Sequence, residues 1–346
     1  MTLDIQTLKS KQGEVKYRSK LVSQYQDKEI IFENEPNRIE IILALKERIK
    51  STIKDLAILK KNHVKFSPYL EIGAEFGHRA AVIEEKYKAN GFALDISFES
   101  LSLAPFFTKK LRLKKIPKRI CADAYYLPFK NNSFNFIFCY QTLHHFPNPS
   151  PIVKEAFRVL APGGYLFVNE EPISQTFNLK LWRRPTKLRM WEKILKYILI
   201  LPFISTIGKT ETDHHILENT FSLKTWEKSL EPFKSATAWV NSYPLGLESK
   251  IPKNTPTNWL KPSILTRTFI SFTGGGIKIL AQKEHSASDK TSNKLSDFLS
   301  CPACLKTLSP NLVCGKCHTR YPVFKNIKLL LNKKLMAKLY PQLKNK

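Results

Sequence analysis

The feature that most constrains this chain is a regular alternation of short apolar runs with helix-like stretches from Tyr69 to Val168. The apolar runs fall at 69–72, 92–96, 116–121, 134–140 and 165–168, and charged amphipathic stretches near 79–89, 97–110 and 152–160 separate them. A strand followed by a crossover helix returns parallel to the first, so such a sheet must be covered by helices on both faces. The expectation is an α/β chain built on a doubly wound, mostly parallel sheet. Upstream, Ile39, Ile42, Leu43, Leu45, Ile49, Ile53, Leu56 and Leu59 recur at helical intervals and predict one long amphipathic helix. Residues 1–38 show few apolar positions at that spacing and read as a loosely held lead-in.

The flanks set the organisation. The chain has 346 residues, 42% of them hydrophobic, which is enough for one sizeable core and a satellite and excludes a disordered or fibrous chain. Residues 172–235 break the alternation with Trp, Arg and Lys clusters and an apolar run at 197–204, and read as an inserted helical lid. Strand-like runs at 236–242 and 276–281 could return to the sheet around a Pro-rich excursion at 244–262. The expected domains are a helical lead-in at 1–62, the main domain at 63–284, a polar linker at 285–295, a cysteine module at 296–332 and a basic tail at 333–346. No stretch reaches the roughly 20 apolar residues of a membrane-spanning helix, and no signal peptide is legible. The expected location is the cytoplasm.

A formal charge of +27 suits a polyanionic partner, through release of condensed counterions. A solvated lysine-rich surface explains it equally well, because lysine far outnumbers arginine, the better phosphate reader. A second basic run, Lys109 to Lys115 with Lys118 and Arg119, is open to the same two readings.

The first apolar run ends in Glu71-Ile72-Gly73-Ala74-Glu75-Phe76-Gly77, an acid and a glycine turn ahead of a helix. A backbone that passes close to a ligand needs glycine, since a Cβ would clash. Asp95 closes the second run, where an acid can accept both hydroxyls of a ribose, and Asp123 closes the third in Cys121-Ala122-Asp123-Ala124. With Leu127-Pro128-Phe129, Leu143-His144-His145-Phe146 and Leu160-Ala161-Pro162-Gly163-Gly164, the series closely resembles class I S-adenosylmethionine-dependent methyltransferases of the small-molecule, menaquinone-methylase-like group. The resemblance covers roughly 66–170. It implies a seven-stranded, mostly parallel Rossmann-like sheet. It also implies that Glu71, Gly73 and Gly77 approach the methionine part of S-adenosylmethionine, that Asp95 holds the ribose, that Asp123 and Ala124 border the adenine, and that Gln141 lines the pocket. Two departures stand out: Glu75 replaces the middle glycine of the turn, where it would repel the cofactor's carboxylate, and Asn135 replaces an aspartate.

Methyl transfer from a sulfonium is an in-line displacement, so most of the catalysis can come from positioning. His144 and His145 follow the fourth run, at the edge where parallel sheets bind ligands, and His145 is the first candidate for an acceptor-side base. Glu170, Glu171, Asp213, His214 and His215 are further candidates. The lid joins Trp182, Arg183, Arg184, Lys187, Arg189, Trp191, Lys193 and Lys196 to its apolar run, which suits peripheral contact with anionic lipid at the inner membrane surface or packing on its own domain.

Finally, Cys301-Pro302-Ala303-Cys304 and Cys314-Gly315-Lys316-Cys317 present two pairs of thiolates across a short hairpin, the ligand set of a structural zinc ribbon. With Leu308, Tyr321-Pro322-Val323 and Ile327-Lys328-Leu329-Leu330, the module resembles the small zinc-ribbon activator subunit that partners tRNA and protein methyltransferases. The expected function is methyl transfer to a small-molecule, glycan or lipid-linked acceptor, with S-adenosylmethionine and zinc as cofactors. The alternatives are a tRNA or protein methyltransferase with a fused ribbon, which a nucleic-acid partner would serve, and a non-catalytic scaffold. Against the first alternative, the residues after the fourth run, Tyr140-Gln141-Thr142-Leu143, lack the Asn-Pro-Pro-Tyr-type motif of amide and nucleobase nitrogen methylation.

Overall fold

A computed structural model describes residues 5–26, 36–184, 188–242, 247–251, 264–285 and 294–343. In chain order its strands are β1 (Tyr69–Ile72), β2 (Gly91–Asp95), β3 (Lys118–Ala122), β4 (Phe134–Tyr140), β5 (Leu160–Ile173), β6 (Trp182–Arg184), β7 (Ser205–Ile207), β8 (Ser235–Ser242), β9 (Leu247–Ile251), β10 (Gly275–Gln282), β11 (Val323–Phe324) and β12 (Ile327–Leu330). The chain divides into two compact units. The first comprises residues within 15–139, 155–166 and 283–346, and the second those within 1–14, 140–154 and 167–282.

In the first unit the strand order is β11-β12-β3-β2-β1-β4, and β12, β3, β2, β1 and β4 all run parallel. Every residue of β1 is buried, as a parallel strand covered on both faces must be. The register aligns Ile72 with Leu94 and Asp95 with Cys121, so the residues that follow β1, β2 and β3 gather along one edge. Asn135 donates through Nδ2 to the Ser67 carbonyl, a structural contact at the opposite end of β4.

Helices α1 (Ile5–Gln26) and α2 (Pro36–Lys61) precede the sheet, and α3 (His78–Tyr87), α4 (Phe98–Ser102) and α5 (Ala104–Lys110) cross over between its strands. The stretch 97–110 is two helices because Pro105 sits in the first turn of α5, where its missing N–H is harmless. Val22 of α1 and Leu45 of α2 pack with Phe76, Leu103 and Phe107 in one buried cluster. The N-terminal segment is therefore tied to the glycine turn rather than loosely held. Its few buried positions fall too sparsely in a polar helix for apolar periodicity to reveal it.

In the second unit, β5, β10, β8 and β9 follow one another, with β8 antiparallel to both β10 and β9. The runs expected to return to the sheet are thus β8 and β10. Of the Pro-rich excursion, only Leu247–Ile251 lies within the described residues. The lid is mixed rather than purely helical: β6 pairs in parallel with β7, and the helices Met190–Tyr197, Leu201–Ile204, Lys209–Asp213 and Leu223–Ser229 make up much of the rest. Its apolar run breaks at Leu199, which has φ 63°, and Tyr197, Ile198, Leu199 and Ile200 are exposed.

Candidate functional site

The glycine turn in the first unit is closed by backbone bonds to β2. Gly73 and Ala74 both donate to the Leu94 carbonyl at 2.9 Å, and Gly73 and Gly77 take left-handed conformations. A side chain at Gly77 would be strained by its φ of 68° and would strike Pro117 at 2.9 Å. Asp95 accepts from the Glu75 N–H at 2.7 Å with one carboxylate oxygen and from the Ser97 N–H at 2.8 Å with the other, so it clamps the turn. Asp123 is buried and accepts from the Tyr125 N–H at 3.1 Å, which fixes Ala124 between them.

Glu71 is buried and accepts from the Ala80 N–H at 3.0 Å. Burial pushes its carboxyl up to about 8, opposed by Arg79 and that N–H. A buried acid held near neutral pH gains from a cationic partner, so the turn fits the ammonium and ribose of an amino-acid nucleoside. Glu75 lies at φ 51°, and its carboxylate is taken up by two guanidiniums: Arg18 of α1 at 2.8 Å and Arg48 of α2 at 3.0 Å. Burial would raise it, but the two arginines hold it at about 2. The charge that threatened to repel a bound carboxylate is thus neutralised in place.

The second unit holds the histidines. His144 is buried, and its Nδ1 lies 2.9 Å from Glu171, whose carboxylate also accepts the N–H groups of Thr142, Leu143 and His144 at 2.7, 2.8 and 3.0 Å. Burial lowers the affinity of His144 for a proton, but Glu171 raises it more and sets the net direction upward. His145 Nδ1 lies 2.9 Å from the Leu217 carbonyl and 3.3 Å from Glu218, and Glu218 approaches His144 Nε2 at 3.8 Å. Burial pushes Glu218 up to about 7. Glu170 takes φ 60° and its N–H is capped by Asn169; His214 Nδ1 lies 2.8 Å from the Thr210 carbonyl of its own helix. Gln141 is exposed, with its N–H donating to the Asn169 carbonyl.

In the first unit's cysteine module, four sulfurs converge: Cys301 and Cys317 at 3.6 Å, Cys304 and Cys314 at 3.4 Å, all within 4.8 Å of one another. Bonds of about 2.3 Å in a tetrahedral zinc shell place sulfurs about 3.8 Å apart, so the set fits one ion. The module is joined to the parallel sheet of its unit. Phe129 bridges Leu299, Phe298 meets Phe134 edge-on, and β12 extends the sheet beside β3. Lys333–Leu339 is helical, and the buried Tyr340 hydroxyl donates to the Ile96 carbonyl at 2.7 Å.

Sequence reasoning singled out Glu71, Gly73, Gly77, Asp95, Asp123 and Ala124, which stand along one edge of the parallel strands. It missed Arg18, Arg48 and Glu218. The arginines answer Glu75 from helices whose packing no local pattern reveals, and Glu218 meets the histidines across 73 positions of chain (218 minus 145).

Residues 70–168 match the methyltransferase domain family. Among curated proteins the chain is similar to the methyltransferase GfsG of Streptomyces halstedii, at 24% identity over 42% of the chain and 50% of that protein. It is also similar to the sterol 24-C-methyltransferase erg6 of Schizosaccharomyces pombe, at 28% over 32% of the chain and 30% of that protein. The chain thus spans half or less of these two relatives. Among solved structures it is similar to an S-adenosylmethionine-dependent methyltransferase of Thermotoga maritima, with 18% identity, TM-score 0.38 and coverage of 73% and 99% of the two chains. A complex of the Haloferax volcanii Trm112 methyltransferase activator with a methyltransferase matches at 15% identity, TM-score 0.38 and coverage of 70% and 95%. The first unit's parallel strands with their crossover helices form a Rossmann-like α/β fold, and they lie largely within the residues that match the methyltransferase domain family.

Proposed function

We propose that this chain transfers a methyl group from S-adenosylmethionine to a small-molecule, glycan or lipid-linked acceptor, and that its cysteine module holds a structural zinc. One observation carries the reading: the glycine turn, Asp95 and Asp123 close three successive parallel strands inside the matched methyltransferase domain. Glu71 would meet the amino group of the methionine part, Asp95 the ribose hydroxyls, and Asp123 with Ala124 the adenine. The cofactor supplies an electrophilic methyl carbon, so what the protein must add is orientation and a dry site. Neutralisation of Glu75 by Arg18 and Arg48 weakens the scaffold alternative. On the acceptor side, His144 is fixed by Glu171, and His145 is the member of the pair assigned to the acceptor.

Two features favour a lipid-linked acceptor. The lid exposes Met190, Ile194, Tyr197 and Ile198 beside Lys193 and Lys196. The matched relatives also include sterol and malonyl-[acyl-carrier protein] methyltransferases. The ribbon's attachment to its own sheet is what supports the second reading, a fused activator serving tRNA or protein methylation. Incubation of the full chain with methyl-labelled donor and a whole-cell extract separates them. Label is expected in the organic phase, and label confined to RNA or protein would overturn the acceptor assignment.

A further inference from the structure

The chain carries 29 acidic residues against 56 basic ones, yet carboxylates concentrate around one pair of histidines in the second unit. Glu14, Glu171 and Glu218 all act electrostatically on His144, and Glu14 and Glu211 act on Glu218. Besides His144 itself, Arg183 is the cation among the main influences on Glu218. Such a pocket of negative potential in a basic molecule concentrates cations rather than anions.

Inside it the ligand chemistry is specific. His144, His145 and Glu218 each bring a ligating atom within 4.8 Å of the other two. We propose that these three residues form a binding site for one divalent transition-metal ion of the zinc class, distinct from the four-cysteine module, with further coordination positions open to water or to an oxygen- or sulfur-bearing small ligand. Two imidazoles and one carboxylate are a ligand set of open, catalytic zinc sites, whereas closed structural sites use four protein ligands.

The surroundings of His144 are arranged as such a site requires. A ligating histidine ordinarily donates its other ring N–H to a carboxylate or carbonyl, which fixes its tautomer and orientation. His144 directs Nδ1 to Glu171 at 2.9 Å, and Glu171 is itself held by three backbone N–H groups, which leaves Nε2 facing Glu218. Glu218 packs against Gly208, where a Cβ would meet its side chain at 2.6 Å, so the turn at Gly208 leaves room for this carboxylate. The side chains of His145 and Glu218 are 25% and 17% exposed, which gives an ion a way in. With an ion bound, the histidine pair would serve an acceptor through the metal rather than as a proton acceptor. That role rests on the methyl-transfer reading; the metal site itself does not.

The test uses the full chain, treated with a mild chelator that spares the four-thiolate zinc, and titrated with zinc by calorimetry. One further equivalent is expected. Glu218→Gln and His145→Ala should each weaken it at least about tenfold, the range that metal-site partners typically command. A wild-type chain that takes up no second equivalent would overturn the proposal, whether or not the variants fold. So would undiminished binding by both variants. Titration of the same samples with S-adenosylmethionine reads the methyltransferase assignment separately, so either can fail without the other.

Discussion

Glu75 stands where the resemblance leads one to expect the middle glycine of the turn, and the structure meets its charge with Arg18 and Arg48. Its carboxyl is held at about 2, below the ordinary 4.5, so it stabilises the fold above about pH 4.5 and loses that contribution as pH falls toward 2. The full term is about 3 kcal/mol. The stability gap between the native chain and Glu75→Gln, measured by denaturant titration, should therefore shrink across pH 4.5 to 2; a pH-independent gap would refute the clasp. Glu71 runs the other way. Its carboxyl, raised to about 8, is mostly protonated at neutral pH and must ionise to pair with an ammonium. Affinity for S-adenosylmethionine should rise with pH between about 6 and 8, by at most about tenfold per unit, and level off above 8. Asp95 and Asp123 were legible because an acid after an apolar run leaves a local mark. Arg18 and Arg48 were not, because a single arginine on a polar helix looks the same whether it faces water or a carboxylate.

At the scale of elements, the strands and crossovers of 69–168 were readable from apolar alternation, since a buried parallel strand is apolar on both faces. The lid was readable only as an interruption. Its strands β6 and β7 are three residues each, too short to show a period. The half-buried Phe203 packs against Phe272 at 5.3 Å, so Ile194, Tyr197 and Ile198 are the better probes of lipid contact. Making these three polar should abolish sedimentation with anionic vesicles while leaving the fold intact. Retained sedimentation would point to the lysine-rich surface instead. The convergence of the four cysteines was legible from their paired spacing, but the joining of their module to the sheet through β12 was not, because Ile327–Leu330 reads equally well as part of a small core of the module's own. Cys304→Ser should lower zinc from about one per chain at the thiolate site and expose 296–332 to protease; unchanged metal content and resistance would contradict the assignment.

For the molecule as a whole, the charge of +27 remains a property of the surface and does not by itself select a substrate. No helix among the described residues is long and apolar enough to cross a membrane. Methyl transfer requires that the chain bind S-adenosylmethionine, and calorimetric titration of the full chain with that cofactor tests this most directly. Saturable binding near one equivalent is predicted, weakened by about 1–3 kcal/mol in Asp95→Ala through loss of charge-assisted hydrogen bonds to the ribose. Absence of binding by the native chain, or equal affinity in a folded Asp95→Ala chain, would contradict it.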